Sequence, residues 1–522
     1  MHMFMASLSL LYIYWITTTV LPKQSQREQI FVNTSNVIFI TDREYLSIAI
    51  DTALIRNGWV RRNLCSRELI ALTRPLAPAY LRMGGTAADQ LIFVPNEETN
   101  QEDLLLLKPL VDAKAEHVDY CDYGYHCNRN ISDTFNMTVE DWLTMNRFVK
   151  ETDLRLLFDL NVLLRHNNTW DSTNAKKLLT VSTGFACNVS WQLGNEPNSF
   201  KHVFGVNISA KQLGKDFKEL RRLLDEFPSC YKNSNLVGPD VTRPKLLQLP
   251  SASFMHKFLK AANGTVRAAT FHQYYVNGRT AKLSDFLNTS VLDQLEDEIN
   301  VMKLAVHTVD NSLPLWLTET SSAWGGGAKG LSDTYAAGFM WLDKLGLAAK
   351  LGISLVIRQT LCGGHYSLID CDKFEPHPDW WLSVLFKKLV GQKVFSVKQT
   401  ASDSVRMYAH CANPDAGEGS VTLYGLNTGN EPVWLNIKGL KGPANAYILS
   451  SDNGLRSRSV LLNGKTLQLN KDRTLPPVIP LNVSLDEAIL IPGFSLGFWV
   501  TAVYKVQECY MLYLSNTEPY IF

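Results

Sequence analysis

The 522-residue chain has almost no net charge, with 51 Lys and Arg against 50 Asp and Glu. No global field draws it to a polyanion, so a nucleic-acid partner is not expected and an anionic ligand must be held by local clusters. There is no CxxC pair, and no metal or other cofactor is expected. The run Gly325-Gly326-Gly327 has no lysine and no Walker spacing around it, which sets aside a phosphate cradle in favour of a loop that approaches a ligand through its backbone. Internal repeats and low-complexity stretches are missing too. After the apolar residues 1–20, no run reaches the length of a membrane span. Residues 1–24 read as a secretory signal with a weakly basic start, an uncleaved anchor being the alternative.

What is present is a globular composition, 46% hydrophobic and 19% charged, on a chain long enough for a large barrel and a companion module. Eight short apolar runs end in polar or glycine residues: Leu46 to Ile50, Ala79 to Arg82, Leu154 to Leu160, Val189 to Leu193, Leu236-Val237, Ala268 to Phe271, Leu315 to Leu317 and Ile353 to Ile357. Helical patterns such as Leu213-Phe217-Leu220-Leu223 and Tyr335-Phe339-Leu342-Leu345 lie between several of them. Eightfold strand–helix alternation predicts an α/β fold, a (β/α)₈ TIM barrel over residues 45–395. Residues 95–137 break the alternation as an exposed insertion open to proteolytic nicking. Beyond residue 395, short strand-like runs separated by Asn/Gly turns predict a β-sandwich over 396–522, which the β-type segment 25–44 would join.

Nine N-x-[ST] sequons, at Asn33, Asn130, Asn136, Asn167, Asn188, Asn207, Asn263, Asn288 and Asn482, point to a glycoprotein of the secretory pathway, secreted or lysosomal. Nine cysteines leave at least one without a partner inside the chain. Cys411 and Cys509 flank the sandwich as a candidate staple, and neither Cys362 nor Cys371 sits in a context that would activate a nucleophile.

The chemistry centres on Trp191-Gln192-Leu193-Gly194-Asn195-Glu196-Pro197, where the fourth strand ends in a polar pair, and on Leu315-Trp316-Leu317-Thr318-Glu319, where the seventh does. Barrel enzymes place catalytic groups at these C-terminal strand ends. Retaining cleavage of a glycoside needs an acid and a nucleophilic carboxylate about 5–5.5 Å apart, which opposite strands supply and sequence neighbours do not. Glu196 is the candidate acid and base, Glu319 the candidate nucleophile. Asn195 is placed to reach a sugar hydroxyl and Tyr274 to orient Glu319. His272 reads as a packed core histidine or a support for the site. Arg82 and Arg358 read equally as buried partners of acids and as substrate ligands.

With both glutamate stretches in view, the chain resembles the heparanases of glycoside hydrolase family 79. The resemblance rests on Tyr45 to Asp51 (YLSIAID), Pro78 to Thr86 (PAYLRMGGT), Trp191 to Phe200 (WQLGNEPNSF), His272 to Thr280 (HQYYVNGRT), Glu319 to Ala328 (ETSSAWGGGA), Leu331 to Gly346 and Pro378 to Gly391. It implies a retaining endo-β-glucuronidase acting on internal linkages of a glycosaminoglycan, heparan sulfate first and hyaluronan second. It implies Glu196 as proton donor and Glu319 as nucleophile, with Asp51, Thr86 and Asn195 on the glucuronic acid. Gly325, Gly326 and Tyr366 would receive the sugar carboxylate, and Tyr274 and Arg279 fall on site positions. A Cys411–Cys509 disulfide is implied, as are a monomer or processed heterodimer and association with proteoglycan or a membrane surface. Against the family pattern, Thr318 stands where glycine is usual and Trp324 where tyrosine is. The basic segments beside the cleft are thin: Asn128 to Phe135 holds only Arg129, and the second holds Arg243 and Lys245. A catalytically silent glycosaminoglycan-binding protein is the reading from another class.

Overall fold

The computed structural model describes residues 27–95, 134–244, 249–400 and 403–510. The signal segment, Asn130, Lys245, Cys121, Cys127 and nearly all of the 95–137 insertion lie outside them.

Eight parallel strands form the barrel: Leu46–Asp51, Ala79–Gly84, Leu154–Leu160, Val189–Leu193, Val237–Val241, Ala268–Asn277, Leu315–Trp324 and Leu355–Arg358. Neighbours in sequence pair from the first strand to the fourth and from the fifth to the eighth, and the eighth pairs with the first. A parallel bridge between Trp191 and Leu236 links the fourth strand to the start of the fifth and closes the ring. The sixth and seventh strands run well past the apolar cores that predict them, to Asn277 and Trp324, and carry their polar ends out as one wall of the mouth. Helices on the outside include Val139–Glu151, which a Thr138–Asp141 capping box starts, and Ala210–Asp225, which Ser209 caps. In the latter, Leu213, Phe217, Leu220 and Leu223 are the buried stripe.

The barrel interior is layered. Ala49, Tyr80, Leu157, Val237, Ala268, Trp316, Leu355 and Ile357 fill its lower half as an apolar plug. Above them, Arg82, Asp159, Gln192, Asp240, Thr270 and Thr318 are buried as a polar layer. The alternation of side chains along a strand produces both layers, since Tyr80 and Arg82, or Leu157 and Asp159, project to the same side.

The helix Ala337–Lys350 departs from the amphipathic pattern, since Ala337 to Ala349 are buried on every side and Tyr335 lies just before its first turn. Its outer face is covered by the second domain. That domain is an eleven-stranded, mostly antiparallel sheet with its own core around Ile30, Phe395, Met407, Leu423, Leu435, Ile489 and Trp499. Its strand Val390–Thr400 continues straight out of the barrel's last helix, so residue 395 falls inside one strand. The strand Arg27–Ile40 pairs antiparallel with Val390–Thr400 and parallel with Val433–Lys438. Asp343 on the buried helix accepts hydrogen bonds from Tyr408 at 2.6 Å and Arg406 at 2.5 Å, and Tyr335 donates to the Leu449 carbonyl at 2.8 Å. Within the former insertion, Phe135–Thr138 is a short strand paired with Leu91–Val94.

Disulfides join Cys187 to Cys230, Cys362 to Cys371 and Cys411 to Cys509, and Cys65 is free. The asparagines of all eight described sequons are exposed. No helix among the described residues is long and apolar enough to cross a membrane.

Candidate active site

A cleft of about 790 Å³ opens at the C-terminal end of the barrel. Asp51, Thr86, Asn195, Glu196, Arg243, Tyr274, Glu319, Gly325 and Tyr366 all line it. Gly326 is buried behind it, its carbonyl accepting from the His365 N–H at 2.6 Å. Arg279 is exposed at the turn after the sixth strand and is not among the lining residues. Trp324 and Glu298 line the cleft as well, Trp324 being 44% exposed.

Backbone irregularities aim the two glutamates. Glu196 stands just beyond the fourth strand in the left-handed region, at φ 54°, and its N–H donates to the Asp240 carbonyl at 3.0 Å. On the seventh strand the register with the sixth shifts between Leu317 and Glu319. Thr318 is the extra residue of this bulge, so both Thr318 and Glu319 face the barrel axis where strict alternation would turn one outward. Gly85, at φ +96°, brings the end of the second strand against Asp51, where a Cβ would meet Asp51 Oδ2 at 2.6 Å. Gly327, at φ +89°, packs the glycine loop onto the Tyr366 backbone, leaving a Cβ only 2.8 Å from Tyr366 N.

Glu319 is held at both oxygens, by Tyr274 OH at 2.7 Å on Oε1 and Arg82 Nη1 at 2.9 Å on Oε2. Burial alone would push its carboxyl up. The charges of His272 and Arg82 and the bonds from Tyr274 and Arg82 outweigh that and hold it below the usual carboxylate value. Glu196 has one such contact, His272 Nδ1 at 3.1 Å from Oε1, and its side chain is 29% exposed.

Arg82, fully buried, ties the floor together. Besides Glu319 it donates to Gln192, Asn195 and Asp240, each at 2.8 Å. Arg82 and Arg358 are therefore partners of acids, Arg358 pairing with Asp379 at 2.8 Å. Asp240 lies 3.5 Å from His272 Nε2 and accepts from Thr318 Oγ1 at 2.6 Å. Burial opposes ionisation of Asp240, but Arg82 and His272 hold its carboxyl well below the usual range. For His272 burial opposes the charge, while Glu319 and Asp240 carry its pKa up to about 10. His272 is thus a buried imidazolium facing both halves of the site. Beneath them, burial pushes Asp89 up to about 7 and, together with Asp89, lifts Asp159 well above its usual value. Asp89 Oδ2 accepts the Asn195 N–H at 2.9 Å, fixing the residue beside Glu196. The Asn195 amide oxygen accepts from Arg82 and from Gly85 N, which orients its NH₂ as the group left for a ligand hydroxyl. Burial brings Asp51 up to about 6, with Glu319 adding to the effect.

Arg243, expected as a cation for an acidic polymer, is spoken for. Its Nε donates to Glu298 at 2.5 Å, Nη2 to Gln294 at 2.6 Å and Nη1 to the Tyr275 carbonyl at 2.8 Å. Asp89, Asp159, Asp240, Glu298 and the role of Thr318 are what sequence reasoning missed. The one local signal was Asp159, an acid within the apolar end of the strand run Leu156 to Leu160.

A carboxylate locked between donors, a second and freer carboxyl across the same cleft, and an oriented amide beside it form the equipment of a two-carboxylate glycosidase. Comparison with known proteins agrees. Residues 29–346 match the model of the glycosyl hydrolase family 79 N-terminal domain. Heparanase from Mus musculus is 39% identical over 495 residues, covering 89% of this chain and 91% of the relative. Hyaluronoglucuronidase from Hirudo nipponia is 35% identical over 504 residues, covering 92% and 98%. Among solved structures, a 4-O-α-L-rhamnosyl-β-D-glucuronidase from Fusarium oxysporum 12S shares the fold, with a TM-score of 0.66 at 17% identity, covering 91% of this chain and 100% of that one. The chain is a glycoside hydrolase and belongs to glycosyl hydrolase family 79.

Proposed function

We propose that this protein is a retaining endo-β-glucuronidase that hydrolyses internal glucuronosyl linkages of a glycosaminoglycan. The observation that carries the reading is the asymmetric pair: Glu319 is bound on both oxygens and kept ionised, and Glu196 faces it from the fourth strand end with one neighbour. Glu319 attacks the anomeric carbon. Glu196 protonates the departing oxygen, then takes a proton from the water that releases the sugar. Tyr274 holds the nucleophile's attacking geometry, and the Asn195 NH₂ meets the sugar 2-hydroxyl, where a bond strengthens as positive charge develops on the ring. Asp51 and Thr86 bind further hydroxyls, and the backbone of Gly325 and Gly326 with Tyr366 takes the carboxylate.

Heparan sulfate is the favoured backbone, supported by the match to heparanases; hyaluronan is the second, supported by the match to a hyaluronoglucuronidase and by the acidic cleft. Three disulfides and exposed sequon asparagines support passage through an oxidising secretory compartment, with a secreted or lysosomal destination. Digestion of heparan sulfate, hyaluronan and chondroitin side by side, with products sized, tests the reading. Wild type shortens at least one polymer from within, and Glu196→Gln and Glu319→Gln do not. Unchanged cleavage by both variants refutes the mechanism, and binding without any cleavage by wild type leaves a silent binding protein.

A further inference from the structure

Four acidic residues line the cleft, Asp51, Glu196, Glu298 and Glu319, against one basic residue among the described ones, Arg243. The charges that balance Glu319, namely Arg82 and His272, lie below the floor and are themselves shared with Asp240. Among the described residues, anion binding by a side chain of the cleft therefore turns on whether Arg243 is available.

Its surroundings say that it is not. Each of its three nitrogens has a protein acceptor: Glu298, Gln294 and the Tyr275 carbonyl. Glu298 comes from the helix Thr289–His307 and its side chain is only 2% exposed. Turning Arg243 outward to an anion would leave that carboxylate buried without its counter-charge, a costly state. The pair is therefore a wall element with no net charge.

We propose that Glu298 makes this cleft selective for the stretches of a glucuronosyl chain whose anionic groups are carboxylates, and against the sulfated stretches of the same backbone. The inference rests on the glucuronidase reading and deepens it. A uronic carboxylate can be received by neutral donors, the loop backbone and a tyrosine hydroxyl, at the one sugar that occupies the reaction centre. Each sulfate adds a permanent negative charge on a flanking sugar, and among the described lining residues the one cation, Arg243, is already paired with Glu298 and has no charge left to meet it. Juxtaposed like charges are what reject a wrong partner.

The test compares two chains of one backbone, unsulfated N-acetylheparosan and its N- and O-sulfated form, by kcat/KM and by affinity to the Glu319→Gln variant. Wild type is expected to favour the unsulfated chain by about ten-fold or more. Glu298→Gln keeps a hydrogen-bond acceptor for Arg243 but removes its counter-charge, so the preference should narrow several-fold, mainly through KM for the sulfated chain. In the double variant Arg243→Gln/Glu298→Gln both charges go, and the preference should return toward wild type. Thermal melting of each variant reports folding. Equal or faster cleavage of the sulfated chain by wild type, or a folded Glu298→Gln with an unaltered ratio, overturns the proposal. If no polymer is cut, the glucuronidase reading falls, and the two affinities still decide whether sulfate is rejected.

Discussion

The two walls of the cleft hold the same functional group in opposite ways. On the seventh-strand wall Glu319 is buried, bound at both oxygens and kept charged. On the fourth-strand wall Glu196 is nearly one-third exposed, with His272 as its side-chain partner. A nucleophile benefits from fixed direction and constant charge. A group that gives and then takes a proton must stay in reach of the leaving oxygen and of water. The difference shows that role is set by what surrounds a carboxyl, and that one residue, Arg82, can hold the nucleophile on the rigid wall while reaching the other wall through Gln192, Asn195 and Asp240 without touching Glu196.

The sharpest way to break this comparison is to neutralise each wall in turn. Glu319→Gln should lower kcat on the order of 10⁴-fold or more on every substrate, since nothing replaces the attacking oxygen. Glu196→Gln should cost about 10²–10⁴-fold on polymer. On a dinitrophenyl glucuronide, whose leaving group needs no proton, its first step should recover and show a burst of dinitrophenol. An absent burst would mean that Glu196 is not the acid.

Arg82→Gln tests the shared support. It leaves Asp240 without its principal cation and Glu319 without the donor to Oε2, and should lower stability by about 3–5 kcal/mol, read as a lower denaturant midpoint. A folded variant of wild-type stability would show that His272 suffices alone.

Tyr274→Phe removes one charge-assisted bond from the rigid wall and should reduce kcat by about 10- to 100-fold with KM little changed, equivalent to about 1.5–3 kcal/mol. Thr318→Val removes the donor to Asp240 and should cost about 1–2 kcal/mol of stability, which Thr318→Ser should restore. Equal losses for Val and Ser would place the effect in the bulge packing rather than in the hydroxyl.

A different kind of effect is a gradual one with pH. The pKa of His272 is raised from 6.5 to about 10, so its contribution to stability is complete below about pH 6.5, where folded and unfolded chains both hold the proton. Above that only the folded chain does, and stability should decline as pH rises toward 10. Thermal melting of wild type and His272→Gln across pH 6–10 checks this; parallel curves would contradict a charged His272.

The barrel and its two glutamates are legible because strand ends carry a local pattern, an apolar run stopped by glycine or a polar pair. The floor is not. Arg82 sits in Ala79–Gly84 as one charge among apolar neighbours, and nothing local tells whether it meets water or Asp240, which lies 158 residues away. Arg243 reads as a free cation until a helix 55 residues on delivers Glu298. Thr318 is visible as a departure from the family pattern, but its partner depends on a register shift. Pairing among nine cysteines is equally non-local: Cys187 and Cys230 are joined across 43 residues.

The strand Arg27–Ile40 has a consequence for how the protein is made. It leaves the ribosome before any of the barrel, yet its partners Val390–Thr400 and Val433–Lys438 follow about 350 and about 400 residues later. At about 5–20 residues per second that is a wait of roughly 20–70 s with both edges unpaired and Ile30 and Val32 uncovered. This early strand is among the last elements to be completed, so the nascent chain needs protection there, and the sandwich cannot be detached from the barrel without losing a strand that precedes it.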